Sequence, residues 1–170
     1  AVIEYRADAK LGILDAQTGK VLIKAKYDLI DTFDKAGFAR SNFNDKYGLI
    51  DLSGKVIVPF KYSEVSAVEN SDLYVATDSE DIMSLYAKNG KVLKTNMTNF
   101  TGFGKNGLAG FCEGENKCGY INTQGIVVIP PKFQIATSFD ENKFGMVKTP
   151  KNECFTINAS GKTMLKFTCP

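Results

Sequence analysis

The chain has 170 residues, 44% hydrophobic and 24% charged, with 21 Lys and Arg against 19 Asp and Glu and neither histidine nor tryptophan. This length suits one ordinary domain that buries roughly two thirds of its unfolded surface, and the composition is that of a soluble globular protein. A net charge of +2 argues against the clustered basic excess of a nucleic-acid binder. The longest apolar run, Ile126 to Pro131, is far too short for a membrane span.

The chain opens on Ala-Val-Ile-Glu-Tyr, strand-like and without an initiator Met. That fits a mature protein trimmed after a signal sequence and a trimmed recombinant fragment equally. Val2 to Ala7 is a predicted strand. A turn glycine then recurs at Gly19, Gly54, Gly90, Gly125 and Gly161, at spacings of 35, 36, 35 and 36 residues. Each follows a polar turn (DAQTG, DLSG, AKNG, NTQG, NASG) and precedes an apolar or β-branched strand (KVLIKA, KVIVPF, KVLKTN, IVVIPP, KTMLKF). Glycine is expected there because a hairpin of this length needs one residue with positive φ. A short strand leads into each turn: LGILD, YGLID, SLYA, CGYIN and FTIN. Behind the second strand runs an irregular linker anchored by Tyr27 and Phe33, Tyr62 and Val68, Met97 and Phe103, or Phe133 and Phe139. A third strand closes each unit: GFARSNF, LYVATDS, GLAGFCE and FGMVKT.

Grouped from third strand to second strand, the chain divides into five three-stranded antiparallel meanders joined by linkers of about a dozen residues, with no strand left over. The expected fold is therefore all-β, a solenoid or propeller-like repeat forming a single domain over residues 1–170. No segment shows a helical period.

Cys112 and Cys118 flank the polar segment EGENK, and Cys154 and Cys169 flank the last strand-turn-strand unit. Both pairs lie across predicted hairpins, within disulfide reach, and predict two bonds and an oxidising compartment. The alternative is four reduced cysteines. A zinc site lacks both CxxC spacing and histidine.

Lys46-Tyr47-Gly48-Leu49-Ile50-Asp51 with Gly54-Lys55, Lys117-Cys118-Gly119-Tyr120-Ile121-Asn122 with Gly125, Ile129-Pro130-Pro131-Lys132-Phe133 and Gly107-Leu108-Ala109 resemble the bacterial WG repeat, also written KWG. Leu11, Tyr47 and Cys118 stand at its Trp position, and the reading puts Ser84 and Thr156 where two copies lose the Gly. The resemblance covers nearly the whole chain; it implies a β-rich repeat and no enzyme activity.

Without histidine, Ser-His-Asp and Cys-His sites are excluded. Carboxylate pairs of glycosidase type have candidates in Asp31 with Asp34, Glu64 with Glu69, and Asp140 with Glu141, all in polar linkers where solvation is the default. Asp78-Ser79-Glu80-Asp81 lacks the alternating ligands of a calcium loop and reads as a hairpin tip, as does Glu113-Gly114-Glu115-Asn116. No catalytic residue, metal or cofactor is expected. Twelve aromatics (Tyr27, Phe33, Phe38, Phe43, Tyr62, Tyr74, Phe100, Phe103, Phe111, Phe133, Phe139, Phe144) recur at corresponding places and read mainly as core, with an aromatic binding strip as the alternative. The functional expectation is a periplasmic or secreted, non-catalytic domain that binds a protein partner, with an inhibitor or immunity-type protein as a sub-case. A glycan-binding module and a carboxylate hydrolase are the alternatives. Contact with the partner is expected on the linkers, through Asp28, Asp31, Asp34, Glu64, Glu69 and Asp72, with the turn glycines on the opposite rim.

Overall fold

The structure is a computed structural model that describes residues 1–169. Among these described residues, five antiparallel sheets follow one another, and every strand pairs only with its sequence neighbours. The first sheet comprises β1 (Val2–Ala7), β2 (Lys10–Asp15) and β3 (Val21–Tyr27). The second comprises β4 (Leu29–Ile30), β5 (Phe38–Phe43), β6 (Lys46–Asp51) and β7 (Val56–Tyr62). The third comprises β8 (Glu64–Val68), β9 (Leu73–Thr77), β10 (Met83–Ala87) and β11 (Val92–Met97). The fourth comprises β12 (Asn99–Phe100), β13 (Leu108–Cys112), β14 (Cys118–Asn122) and β15 (Val127–Phe133). The fifth comprises β16 (Ile135–Ala136), β17 (Gly145–Lys148), β18 (Cys154–Ile157) and β19 (Thr163–Phe167).

The meanders stand where the repeat pattern puts them, but four of the five sheets have four strands, not three. The extra strand comes from the start of each linker, which is therefore not wholly irregular. Leu29 and Ile30 lie opposite Asn42 and Ser41, and Ile135 and Ala136 opposite Lys148 and Val147. β4, β12 and β16 have two residues each, too few to display alternation, so the period carries no sign of them. The linker strands are held because Ile30, Val65 and Ala136 each bury an apolar side chain.

The turns obey the expected rule: Gly54 and Gly125 have φ of 79° and 80°. The first residue of the turn also has a role. Asp51 Oδ1 accepts hydrogen bonds from Ser53 N, Ser53 Oγ and Lys55 N, and Asn122 Oδ1 accepts from Gln124 N and Ile126 N. Asp15 and Asn158 do the same in their turns. These are Asx turns, in which a short side chain mimics the backbone. Burial raises the Asp51 pKa, yet the bonds from Ser53 and Lys55 outweigh it and leave the carboxyl below its ordinary 3.8. A depressed carboxyl contributes stability that is present above the unfolded value and lost as pH falls through the folded one. Asp51→Asn, which keeps the acceptor oxygen, is therefore expected to make melting temperature less dependent on pH below 3.8. An unchanged acid slope would remove Asp51 from the acid transition.

The turn glycines also touch the preceding sheet. A Cβ built on Gly54 would lie 3.3 Å from Ile23 Cγ1, on Gly125 2.7 Å from Leu93 Cβ, and on Gly161 3.3 Å from Ile129 Cγ1. Each of these turns thus seats a bare Cα on an apolar residue of the second long strand one repeat earlier.

The glycine ahead of each turn marks a bulge. Leu11 faces Tyr27 and Ile13 faces Ile23, so two steps on β2 oppose four on β3. The same holds between Tyr47–Leu49 and Tyr62–Val58, and between Cys118–Tyr120 and Phe133–Ile129. The bulged main chain folds over the glycine: a Cβ would lie 2.6 Å from Ile23 O on Gly12 and 2.6 Å from Val58 O on Gly48. Pro59, Pro130 and Pro131 sit inside these bulges, on outer strands where an N–H has no ladder partner. Where the glycine is lost, the bulge shrinks. At Ser84, two steps from Met83 to Leu85 oppose three from Met97 to Lys94. The register also corrects the reading of the fifth copy. Phe155 lies opposite Val147 as Gly119 lies opposite Phe111, so Phe155, not Thr156, replaces the glycine. There Cys154, Phe155 and Thr156 face Phe167, Lys166 and Leu165 one for one.

The chain falls into two compact units. One comprises Ala1–Ser66, Ala76–Glu80 and Lys88–Gly90; the other comprises Ala67–Val75, Asp81–Ala87 and the chain from Lys91 onward. The core of the first gathers Leu11, Ile13, Ile23, Tyr27, Ile30, Ala39 and Ile50, with Phe43 and Phe60 packed about Tyr27 at ring distances of 6.1 and 5.5 Å. The second holds a cluster around Leu85, Met97, Phe103 and Phe111 and another around Tyr120, Ile129, Phe139 and Val147. The buried Tyr120 hydroxyl donates to Thr137 O at 2.8 Å, and burial pushes its pKa up.

Two disulfides are present, Cys112–Cys118 and Cys154–Cys169. The first joins directly opposed residues of β13 and β14. The second ties the chain beyond β19 back to β18.

Candidate functional site

Each sheet has two rims, formed by its own loops. One carries the hairpins between third and first strands: Asp8-Ala9 and Asn44-Asp45, both in left-handed conformation, and their equivalents. The other carries the glycine turns. Phe38 faces Asp51, Leu108 faces Asn122 and Gly145 faces Ile157, so each linker ends beside the turn of its own sheet. A Cβ on Gly37, in the first linker, would lie 3.4 Å from Leu52 Cδ1 in the turn. Linker loops and glycine turns therefore share one rim, which corrects the expectation that they lie on opposite rims. The linker begins at the hairpin rim, runs through its short strand and emerges among the turns; the unforeseen strand is what carries it across.

Of the six expected contact residues, Asp28, Asp31, Asp34 and Glu64 belong to the first unit and Glu69 and Asp72 to the second. Asp28 sits at the hairpin rim, holding Lys10 Nζ and accepting from Asn44 N at 3.0 Å; these bonds, Lys10 first, hold its pKa low. Asp31 accepts from Arg40 Nε at 2.7 Å, and Asp34 Oδ1 caps its loop by accepting from Ala36 N and Phe38 N. These three carboxylates shape the linker. Glu64 accepts from Ser66 Oγ at 3.1 Å, at the start of β8, whereas Glu69 follows its end, so the two stand toward opposite rims. Glu69 and Asp72 reach the turn rim in the second unit, where Asn70 to Leu73 share a depression of about 550 Å³ with Thr123 and Gln124.

A concavity in that unit, about 330 Å³, is walled by three successive linkers: Glu69-Asn70, Thr101 to Lys105 and Ser138 to Glu141. Phe103 and Phe139, both buried, underlie it. Asn70 Nδ2 donates to Phe103 O at 3.3 Å, joining the first wall to the second. Asp140 Oδ1 accepts from Phe144 N at 2.9 Å and keeps the third wall turned. Glu69, Asp140 and Glu141 against the single Lys105 give the depression an acidic lining. Sequence reading named Glu69 but not Lys105 as a wall residue, and it treated Asp140 and Glu141 only as a possible catalytic pair. The recurring Phe before each linker loop (Phe33, Phe103, Phe139) was the available signal that these loops stack in equivalent places. In the first unit, a second depression of about 370 Å³ is lined by Val2, Ile3, Glu4, Ile13 and Asp31 to Phe33.

None of the twelve recurring aromatics is exposed: Tyr27, Tyr62, Tyr74, Phe103, Phe111, Phe133 and Phe139 are buried and the rest half-buried. They serve as core. Asp78, in the acidic segment, accepts from Glu80 N at 2.9 Å within the hairpin tip between β9 and β10.

A family model for the WG containing repeat matches residues 12–47, 47–77 and 119–149, more than half of the chain. The chain belongs to the WG-repeat family. The matched stretches of this WG-repeat protein contain Gly12, Gly48 and Gly119, the three glycines beneath full bulges. Ser84 and Phe155, where the bulge shrinks or vanishes, lie outside them. No curated protein matches in sequence. Among solved structures, the WG-repeat chain is similar to the crystal structure of a eukaryotic initiation factor, with a TM-score of 0.54 and 10% identity, covering 99% of this chain and 52% of that one. It is also similar to Hsv2p of Kluyveromyces lactis, with a TM-score of 0.41 and 12% identity, covering 93% and 58%. The chain thus spans little more than half the length of either. At 10% identity, the first likeness concerns the fold alone.

Proposed function

We propose that this WG-repeat protein is a non-catalytic, extracytoplasmic protein-interaction domain whose partner presents a basic surface to the turn-and-linker rim. The observation that carries the reading is the acidic depression walled by three successive linkers, whose inner side is fixed by Phe103 and Phe139 while its outer side chains are exposed. Such loops vary without unpacking a core, and their charges steer association. The two disulfides support an oxidising compartment. An inhibitor or immunity-type role, covering the active site of a secreted enzyme, is a special case of the same geometry. The burial of the aromatic rings removes the main argument for a glycan platform.

The test is Glu69→Lys with Glu141→Lys, two exposed residues without a turn-holding bond. Immobilised wild-type protein is expected to capture a basic partner from periplasmic or culture fluid in a salt-sensitive manner. The double variant is expected to lose at least tenfold in affinity for that partner with an unchanged melting temperature, as removal of steering and rim charges predicts. Equal binding by the variant would place the interface elsewhere.

A further inference from the structure

We propose that Asn89 is a site of spontaneous covalent modification: its side-chain amide closes onto the main chain at Gly90 and is lost as ammonia. Asparagine stands before glycine at Asn89-Gly90 and at Asn106-Gly107. A glycine in that place leaves its amide nitrogen unhindered, and attack within one chain gains from proximity. The fold holds the two asparagines differently. Asn106 Oδ1 accepts from Leu108 N at 3.2 Å, and its Nδ2 is buried. That side chain must give up its bond before it can turn toward Gly107, and the nitrogen that would leave is enclosed.

Asn89 is exposed, in the glycine turn between β10 and β11. The other glycine turns begin with Asp15, Asp51, Asn122 or Asn158. There Oδ1 accepts from the main-chain N two residues on, at Gln17, Ser53, Gln124 and Ser160. Asn89 occupies that second place, but its turn begins with Ala87, which has no side-chain oxygen to offer. Gly90 has a φ of 87°, and a Cβ built on it would lie 3.0 Å from Ile57 O. The turn therefore keeps a glycine, and with it an unhindered nitrogen. In the first step Gly90 N bonds to Asn89 Cγ while the Cγ–Nδ2 bond breaks. The amide proton departs with Nδ2 as ammonia, and a succinimide ring remains. Water then opens the ring. Addition at Cγ gives aspartate; addition at the main-chain carbonyl gives isoaspartate, whose main chain is longer by a carbon. Either product places a new carboxylate between Lys88 and Lys91.

Intact, oxidised protein held in mildly alkaline buffer and then digested tests this. Peptide mass spectrometry follows the exchange of amide for acid, and a protein-isoaspartate methyltransferase marks the isoaspartyl product. Reduced protein in urea is the reference, in which both Asn-Gly pairs lie in open chain and are expected to convert at like rates. In the folded protein Asn89 is expected to convert first. Asn106 is expected to lag it by about tenfold or more, because its side chain reacts only after a local opening. Asn89→Gln, whose longer side chain closes a less favourable ring, is expected to lose both the mass change and the methylation at this turn. Three results would overturn the proposal: Asn89 intact in the folded protein while the urea reference converts, Asn106 converting as fast as Asn89, or aspartate formed without isoaspartate, which would mean direct hydrolysis with no ring.

Discussion

Gly48→Val is expected to destabilise the protein by about 3 kcal/mol or more, the largest effect of any substitution considered. The new Cβ would stand 2.6 Å from Val58 O and 2.9 Å from Phe60 Cδ1. Neither neighbour gives way cheaply. The carbonyl belongs to the bulged main chain between Tyr62 and Val58, and moving it means re-registering β7 on β6. Phe60 is packed against Tyr27 and Phe43 at 5.5 and 5.8 Å. Against a total stability of roughly 5–15 kcal/mol, such a loss is a large fraction. Urea unfolding with matched slopes measures it. A midpoint shared with wild type would mean that β7 does not close over this glycine.

Removal of the Cys154–Cys169 bond, by Cys154→Ala with Cys169→Ala, is expected to cost about 3 kcal/mol, from the chain entropy of closing a loop of this length. The sequence separation is 15 for this pair and 6 for Cys112–Cys118, so the second bond is worth less, about 2 kcal/mol. Denaturant unfolding of each double variant orders them. Thiol titration of the undenatured protein should find no free cysteine among the four; four reactive thiols, or crossed pairs in the mass spectrum, would refute both bonds.

The repeat was legible in the sequence because turn glycine, strand and third strand each recur with their own chemistry. Tyr47, Leu49 and Asp51 alternate on β6, and Gly54 declares its turn. The bulges were half-announced by Pro59, Pro130 and Pro131, which a regular ladder does not accept. The purpose of Gly48 was hidden, because a glycine required by another strand's carbonyl looks like any other glycine until the register is known. β4, β12 and β16 were illegible for a different reason: strands of two residues have no period. That omission displaced the linker loops to the wrong rim, and with them the candidate site. Asp28 and Asp31 looked like solvated charges, but their fixed geometry depends on Lys10, Asn44 and Arg40, partners that folding brings near, whereas Asp34 is held within its own loop by Ala36 N and Phe38 N.

Among the described residues each strand pairs only with its sequence neighbours, and each disulfide joins residues close in sequence, 6 and 15 apart. Loops between contacting segments are therefore short, and the entropy of bringing them together is low. Pairing between sequence neighbours is reached faster than pairing between distant segments of a chain of the same size. One sheet can complete its hydrogen bonds while the residues of the next are still being delivered, so the chain can mature vectorially, sheet after sheet, from its first residues onward.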